Sequence, residues 1–227
     1  MNSNLSNIDH LLNLNNVKST FVDSISNIIL HKGEFSIFQI NISSISAHFN
    51  DLEILLSSFK STFNKSDGVT VLIRQSIKLL QIQKQILLNC NSIQLIFQID
   101  KSPNDNLELF LKSLDLILPE INVHYKSIIC GDININILIN SNISNDYLNI
   151  MARNGFLPCI NNFTRETNRS KTCIDHIFIK NIVSTTVKSN ILKCDITDHY
   201  PTILIISNIN NNEKITCNNS IKSLIQK

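Results

Sequence analysis

Short apolar runs rich in β-branched residues recur along this chain, and amphipathic helical patterns separate only some of them. The strand-like runs are FSIFQI, VTVLIR, SIQLIFQI, SIIC, CIDHIFIK and PTILIIS. Apolar residues at helical spacing mark residues 49–59, 107–118 and 145–155. Because several strands follow one another with only loops between them, the pattern favours an α/β fold with mixed sheets over a regular βαβ repeat.

The length and composition are those of a globular chain that forms one large domain or two small ones. The chain has 227 residues, of which 43% are hydrophobic and 17% charged, so it can bury a sizeable core. The formal charge of +2 neither requires nor excludes a nucleic-acid partner, since a basic groove can be local. No internal repeat or clear linker divides the sequence. We therefore expect a loosely ordered leader at 1–33, the domain at 34–208 and an Asn-rich tail at 209–227.

Cysteine usage and the apolar runs indicate the compartment. None of the six cysteines forms a C-x-x-C pair, which argues against zinc, and most lie in apolar runs where free thiols pack well. The N-terminus lacks the charged start and apolar stretch of a signal peptide. No apolar run approaches the ~20 residues that span a bilayer. We expect an intracellular protein that does not bind membranes.

The apolar run SIIC ends in Gly131 and is followed by Asp132, Ile133 and Asn134. Side chains two apart on a strand point to the same face, so Asp132 and Asn134 can leave the strand toward one spot. Strand ends of α/β sheets are common ligand sites. The alternative is an ordinary turn, because Asp and Asn are both frequent turn residues.

Two later stretches place further polar groups at strands. Asp175 and His176 interrupt the apolar run CIDHIFIK, and a charge there is costly unless it is paired. Strand alternation puts these two on opposite faces, so only one is expected at a site; an exposed edge position is the alternative for His176. Asp198 and His199 precede the last strand and offer a carboxylate for a metal and an imidazole for a proton or phosphate. A polar loop accounts for them equally well.

Taken together, these residues suggest a metal-assisted reaction. The set comprises Asp132, Asn134, Asp175, Asp198 and His199. Oxygen donors suit Mg²⁺ or Mn²⁺ better than zinc. Such a set fits metal-assisted hydrolysis of a phosphoester.

Several motifs resemble one superfamily. The segment 131–134, Gly-Asp-Ile-Asn, resembles the G-D-x-N motif of the endonuclease/exonuclease/phosphatase superfamily. Three later segments are similar to the apurinic-endonuclease-like domain of non-LTR retrotransposons: Thr-Arg-Glu-Thr at 164–167, Ile-Asp-His-Ile-Phe at 174–178 and Thr-Asp-His-Tyr-Pro at 197–201. The resemblance covers roughly residues 35–207 and is most specific in the second half.

The resemblance implies a four-layer α/β-sandwich, two packed mixed sheets with helices outside, and Mg²⁺-dependent hydrolysis of a DNA phosphodiester. By the matching motif positions, Asp132 would activate the attacking water and Asn134 would hold that water or a phosphate oxygen. His199 would contact the scissile phosphate, and Asp175 would fix the orientation of His199.

The same resemblance assigns the remaining contacts. Asn41, at the end of the first strand, and Asp198 would contact the metal or its hydration shell. Thr164 and Arg165 would touch the DNA strand. DNA is therefore the expected partner of a monomer, with the nucleus a candidate compartment, and no partner protein is identifiable.

The chain also departs from the family pattern. The family's metal-binding Glu has no counterpart between the first helix and Asp67, Asp100 replaces a phosphate-contacting Tyr, and Ser43 stands where many members have an acid. We expect one strand of the sandwich to be missing and activity to be impaired, since one lost electrostatic contact costs ~10²–10³ in rate. The alternative is a catalytically dead, truncated or degenerate copy that at most binds DNA. A phosphatase is disfavoured by the segments at 164–167 and 174–178.

Overall fold

A computed structural model describes residues 17–28, 34–41, 48–62, 93–98, 106–121, 126–183 and 186–207. The helices are α1 (Phe49–Thr62), α2 (Leu107–Ile117) and α3 (Asn142–Arg153). The strands are β1 (Ser19–Val22), β2 (Phe35–Gln39), β3 (Ile93–Gln98), β4 (Lys126–Asp132), β5 (Leu157–Pro158), β6 (Arg165–Glu166), β7 (Lys171–Thr172), β8 (Asp175–Lys180), β9 (Val187–Leu192) and β10 (Thr202–Ile206). No helix in these ranges is long and apolar enough to cross a membrane.

The first sheet has the strand order β1-β9-β10-β2. β10 runs antiparallel to both β2 and β9, and β1 pairs parallel with β9. β1 lies in the segment expected to be a loosely ordered leader, yet Val17 and Ile25 beside it are buried. Part of the segment expected to be a leader thus pairs with β9 through Ser19–Val22, while the bounds 1–33 stay a prediction.

The second sheet has the order β3-β4-β8-β5 and carries the segments of interest. β4 pairs antiparallel with β8 in a register that sets Asp132 directly opposite Asp175. The two acidic residues therefore lie side by side at one end of the sheet. A small hairpin of β6 and β7 adjoins this end, and an isolated bridge joins its Arg165 to His199.

The two sheets pack face to face between outer helices. On the first sheet, Ile203 and Ile205 of β10 lie in one cluster with Leu52 and Leu55 of α1. The alternate residues of β10, such as Leu204, belong to the central core.

On the second sheet, the rings of His176 and Phe178 contact Tyr147 of α3. The resulting order is helix, sheet, sheet, helix. This confirms the predicted four-layer α/β-sandwich with mixed sheets.

Local sequence fixes the ends of α3, the helix that follows β4. The hydroxyl of Ser141 caps its N-terminus by accepting from the backbone N–H of Ser144 at 3.2 Å. The hydroxyl of Ser144 in turn accepts from the backbone N–H of Ser141 at 3.0 Å. Gly155 has φ +80°, a left-handed conformation that glycine adopts without steric cost. The predicted stop at Gly155 is confirmed.

Several expectations fall outside the described residues. These are the strand-like run at 69–74, the gap that lacks the family's Glu, the substituted positions Ser43 and Asp100, and the tail at 209–227. The predicted absence of one strand stays a prediction for the same reason.

Candidate active site

Asp132 is the last residue of β4, at one end of the second sheet, and is only 6% exposed. Its Oδ1 accepts from the backbone N–H of Asn134 at 3.1 Å, and its Oδ2 accepts from Asn41 Nδ2 at 2.5 Å. Asn134 has φ +54°, a left-handed conformation that Asn tolerates better than most residues. The chain thus turns immediately after Asp132, and this turn and Asn41 together hold the carboxylate.

Asp175 begins β8 beside Asp132 and is 2% exposed. Its Oδ2 accepts two hydrogen bonds, from His199 Nδ1 at 2.9 Å and from Thr164 Oγ1 at 2.8 Å. Its Oδ1 is buried and has no hydrogen-bond partner among the residues that the structure describes. A buried carboxylate oxygen without a donor costs free energy, which is the usual mark of a site that receives a ligand, ion or water.

His199 lies in the loop before β10, and this loop is tied to the end of β2. The backbone N–H of His199 donates to Thr197 Oγ1 at 3.0 Å, and the same hydroxyl lies 3.2 Å from the carbonyl oxygen of Asn41. With Nδ1 engaged by Asp175, Nε2 is the ring nitrogen left for a substrate. The loop therefore presents the imidazole in one fixed orientation.

Burial and charge act on the pKa of His199 in opposite directions. Burial of the ring lowers it, but the hydrogen bond to Asp175 and the negative charges of Asp175, Asp132 and Asp198 outweigh burial. The pKa of His199 consequently lies above its ordinary value, and the protonated ring is favoured. An imidazolium at this position can stabilise negative charge or donate a proton.

Asp132, Asp175 and His199 form the compact centre of the site. One potential ligand atom from each lies within 4.8 Å of the others, and all three residues are buried. Carboxylate oxygens are the donors that Mg²⁺ and Mn²⁺ prefer, and the second oxygen of Asp175 has no hydrogen-bond partner in the described part of the chain. The residues present therefore fit a divalent cation. They equally supply a base and a cationic acid for proton transfer.

Asp198 and Arg165 lie at the rim and not in this centre. Arg165 Nε donates to Asp198 Oδ2 at 2.6 Å, with side chains that are 39% and 46% exposed. Asp198 lies outside the group whose ligand atoms are within 4.8 Å of one another. The structure thus brings Asn41, Asp132 and the Asp175–His199 pair together, while the predicted metal contact Asp198 faces Arg165.

Thr164 does not have the surroundings expected from its motif. It was expected to touch DNA together with Arg165, but it is completely buried. Its hydroxyl donates to Asp175 and accepts the backbone N–H of Asp175 at 3.0 Å. The side chain of Thr164 therefore faces Asp175, whereas Arg165 keeps an accessible side chain, and the predicted DNA contact of both residues stays a prediction.

His176 has the position expected from strand alternation, on the opposite face from Asp175. It is 1% exposed, so the alternative of an exposed edge position is wrong. Nε2 lies 3.1 Å from the carbonyl oxygen of Cys173 and must carry the proton, so Nδ1 accepts from the Tyr147 hydroxyl at 3.2 Å. Burial lowers the pKa of His176 to about 4, so the ring is neutral in the core.

This buried imidazole should make the fold sensitive to mild acid. The unfolded chain binds a proton at His176 near pH 6.5, whereas the native state does so only at about 4. The free energy of unfolding should therefore fall by up to ~3 kcal/mol between these pH values. Urea unfolding of the wild type and of His176→Gln at pH 7 and pH 5 measures this. His199, with its raised pKa, acts in the opposite sense in both proteins. If the free energy of unfolding changes equally with pH in the two proteins, the lowered pKa of His176 is refuted.

Sequence reasoning gave no role to Thr197, although its hydroxyl joins the His199 loop to Asn41. The available signal was local: a Thr whose hydroxyl accepts the N–H two residues later is a known turn-forming pattern. The partner Asn41 lies 156 positions away along the chain, and only the fold reveals that contact.

The two packed mixed sheets with outer helices, which hold the acid–histidine centre at the end of β4, have counterparts of the same fold among solved structures. The endonuclease domain of TRAS1, a telomere-specific non-LTR retrotransposon, superposes with a TM-score of 0.58 at 10% identity, covering 77% of this chain and 98% of that one. This likeness confirms the predicted fold.

Two further solved structures are more distant. A humanized D. rerio TDP2 with 14 mutations gives a TM-score of 0.49 at 13% identity, covering 78% of this chain and 100% of that one. The AP endonuclease LMAP from Leishmania major gives 0.32 at 12% identity, covering 45% of this chain and 42% of that one. No protein-family model and no curated protein sequence matches this chain.

Proposed function

We propose that this chain hydrolyses DNA phosphodiester bonds with the help of a divalent cation, Mg²⁺ or Mn²⁺. The observation that carries the proposal is the convergence of Asp132, Asp175 and His199, from three separate segments, within 4.8 Å. A fold has no structural need to bury two adjacent carboxylates, because their mutual repulsion is destabilising. Such arrangements persist where they serve a site.

The oxygen donors for a cation would come from Asp132 and from Oδ1 of Asp175, which accepts no hydrogen bond from any residue within the described ranges. Asn41 lies beside Asp132, and Asp198 at the rim could contribute through the cation's hydration shell. When bound, the cation would stabilise negative charge on phosphoryl oxygens and lower the pKa of a nearby water. The absence of the family's Glu from the sequence predicts weak cation binding and a slow reaction.

Side chains of this chain carry out the proton transfer and the stabilisation of charge during hydrolysis. Asp132 accepts the proton of the attacking water, and Asn134 orients that water. As the water oxygen bonds to phosphorus, the P–O bond to the leaving strand breaks, and the leaving oxygen takes a proton from solvent water. His199 Nε2 hydrogen-bonds the phosphoryl oxygens that gain charge, while Asp175 holds the imidazolium through Nδ1.

We take DNA as the substrate because a solved structure of the same fold is the endonuclease domain of a retrotransposon. Arg165 is the candidate contact to the DNA backbone. Its guanidinium already pairs with Asp198 at 2.6 Å, so a phosphate would have to compete with that carboxylate. We therefore expect modest DNA affinity that weakens with salt.

Supercoiled plasmid tests the proposal. We expect the purified chain to convert supercoiled DNA to the nicked form with Mg²⁺, faster with Mn²⁺, and not with EDTA. DNA binding is measured in parallel by fluorescence anisotropy at increasing salt. Binding without nicking under any cation would reject hydrolysis and support the alternative of an inactive domain that binds DNA. Neither binding nor nicking would reject hydrolysis and DNA binding alike, and would leave the alternative of a catalytically dead copy.

A further inference from the structure

Thr164 occupies a junction between three parts of the site. Its hydroxyl donates to Asp175 Oδ2 at 2.8 Å and accepts the backbone N–H groups of Ile174 at 3.2 Å and Asp175 at 3.0 Å. All hydrogen-bonding capacity of this hydroxyl is thus directed at the start of β8. The residue is completely buried, so nothing dissolved can reach it.

The backbone of Thr164 connects the other two parts. Its N–H donates to the carbonyl oxygen of Thr172 at 2.8 Å, which joins it to β7. Its carbonyl oxygen accepts the N–H of Tyr200 at 2.6 Å, and Tyr200 directly follows His199. One residue therefore fixes both the carboxylate and the loop that carries the imidazole.

We propose that Thr164 is a positioning residue: it holds Asp175 in the rotamer in which Oδ2 faces His199 Nδ1. Both hydrogen bonds to the carboxylate fall on Oδ2, and they hold that oxygen in the plane between Thr164 and His199. Without the hydroxyl, the carboxylate could turn about its Cβ–Cγ bond to intermediate angles at which neither oxygen faces His199 Nδ1. The His199 ring would then lose its single orientation.

The catalytic part of this inference rests on the proposed function, whereas the structural part does not. Thr164→Val removes the hydroxyl at nearly constant volume, and Thr164→Ser keeps it. Thr20→Val is a matched control, since it removes a hydroxyl from an exposed position on β1. The two readouts are the low-field proton NMR signal of the His199 Nδ1–H group and the kcat and KM of nicking.

We expect the low-field signal in the wild type, Thr164→Ser and Thr20→Val, and its loss or broadening in Thr164→Val. Its absence from His199→Gln assigns it. In the same variants, kcat should fall about 10- to 100-fold for Thr164→Val with KM unchanged within about threefold, and recover for Thr164→Ser. This readout requires an active wild type, whereas the NMR signal does not.

An unchanged NMR signal in Thr164→Val would overturn the inference whether or not the chain nicks DNA. A raised KM at unchanged kcat would overturn it in favour of a substrate contact. Failure of Thr164→Val to fold would leave Thr164→Ser to decide, because a serine that restores the fold but not the signal also contradicts the proposed role. If the wild type does not nick DNA but shows the low-field NMR signal of His199, only the proposed function is rejected.

Discussion

His199→Gln should slow plasmid nicking about 10³-fold while DNA affinity changes less than about threefold. The imidazolium is held by Asp175 at 2.9 Å and has a raised pKa, so it provides a fixed positive charge where the phosphoryl group gains negative charge. Loss of one such preorganised group costs about 10²–10³ in rate, and loss of an acid–base group up to about 10⁴. Glutamine keeps a polar side chain in the site but cannot carry the positive charge of the imidazolium.

A double-mutant cycle tests whether His199 and Asp175 act as one unit. Asp175→Asn should cost nearly as much as His199→Gln, because the neutral amide no longer stabilises the imidazolium. The double variant should be about as slow as either single variant. When two residues act as a unit, either substitution alone already removes their joint effect on the rate. Fully additive losses would mean that the hydrogen bond between them has no role in the rate.

Asp132→Asn should also reduce nicking by about 10³-fold or more, because it removes both the base for the attacking water and a cation ligand. The amide keeps the size of the side chain and can still accept the N–H of Asn134, so the turn at the end of β4 should survive. Mn²⁺ affinity, measured from the EPR signal of the free ion, should fall at least about tenfold.

Asp195→Asn is the matched control for this substitution. Asp195 is an exposed acid in the loop before β10, so its neutralisation removes the same charge without touching the site. We expect its rate and Mn²⁺ affinity to equal those of the wild type. If Asp132→Asn nicks as fast as Asp195→Asn, the water-activating role of Asp132 is refuted.

The strands that carry the site were predictable because their signals are local. β4 and β8 each contain a short apolar run with an acid at one end of the strand, and a buried acid beside such a run must have a partner. These apolar runs therefore revealed both the strands and the candidate residues Asp132 and Asp175. The helices were similarly visible from spacing, and Gly155 marked the end of α3.

What the sequence could not reveal depends on distant pairing. β9 reads VKSNIL, and its polar Ser189 is buried only because its hydroxyl reaches the carbonyl oxygen of Cys159 at 2.7 Å. β1 becomes a strand only because β9 lies beside it, some 170 residues further along the chain. Thr164 looked like a surface residue for the same reason: its burial depends on β7, β8 and the His199 loop together.

The nicking rate of the wild type beside that of the double variant Asp132→Asn/His199→Gln, purified in parallel, tests the central claim most directly. We expect the wild type to nick supercoiled plasmid with Mg²⁺ or Mn²⁺ and the double variant to match the protein-free blank. Equal nicking by both proteins, or none by the wild type with either cation, would contradict the claim that these buried groups form a phosphodiester-cleaving centre.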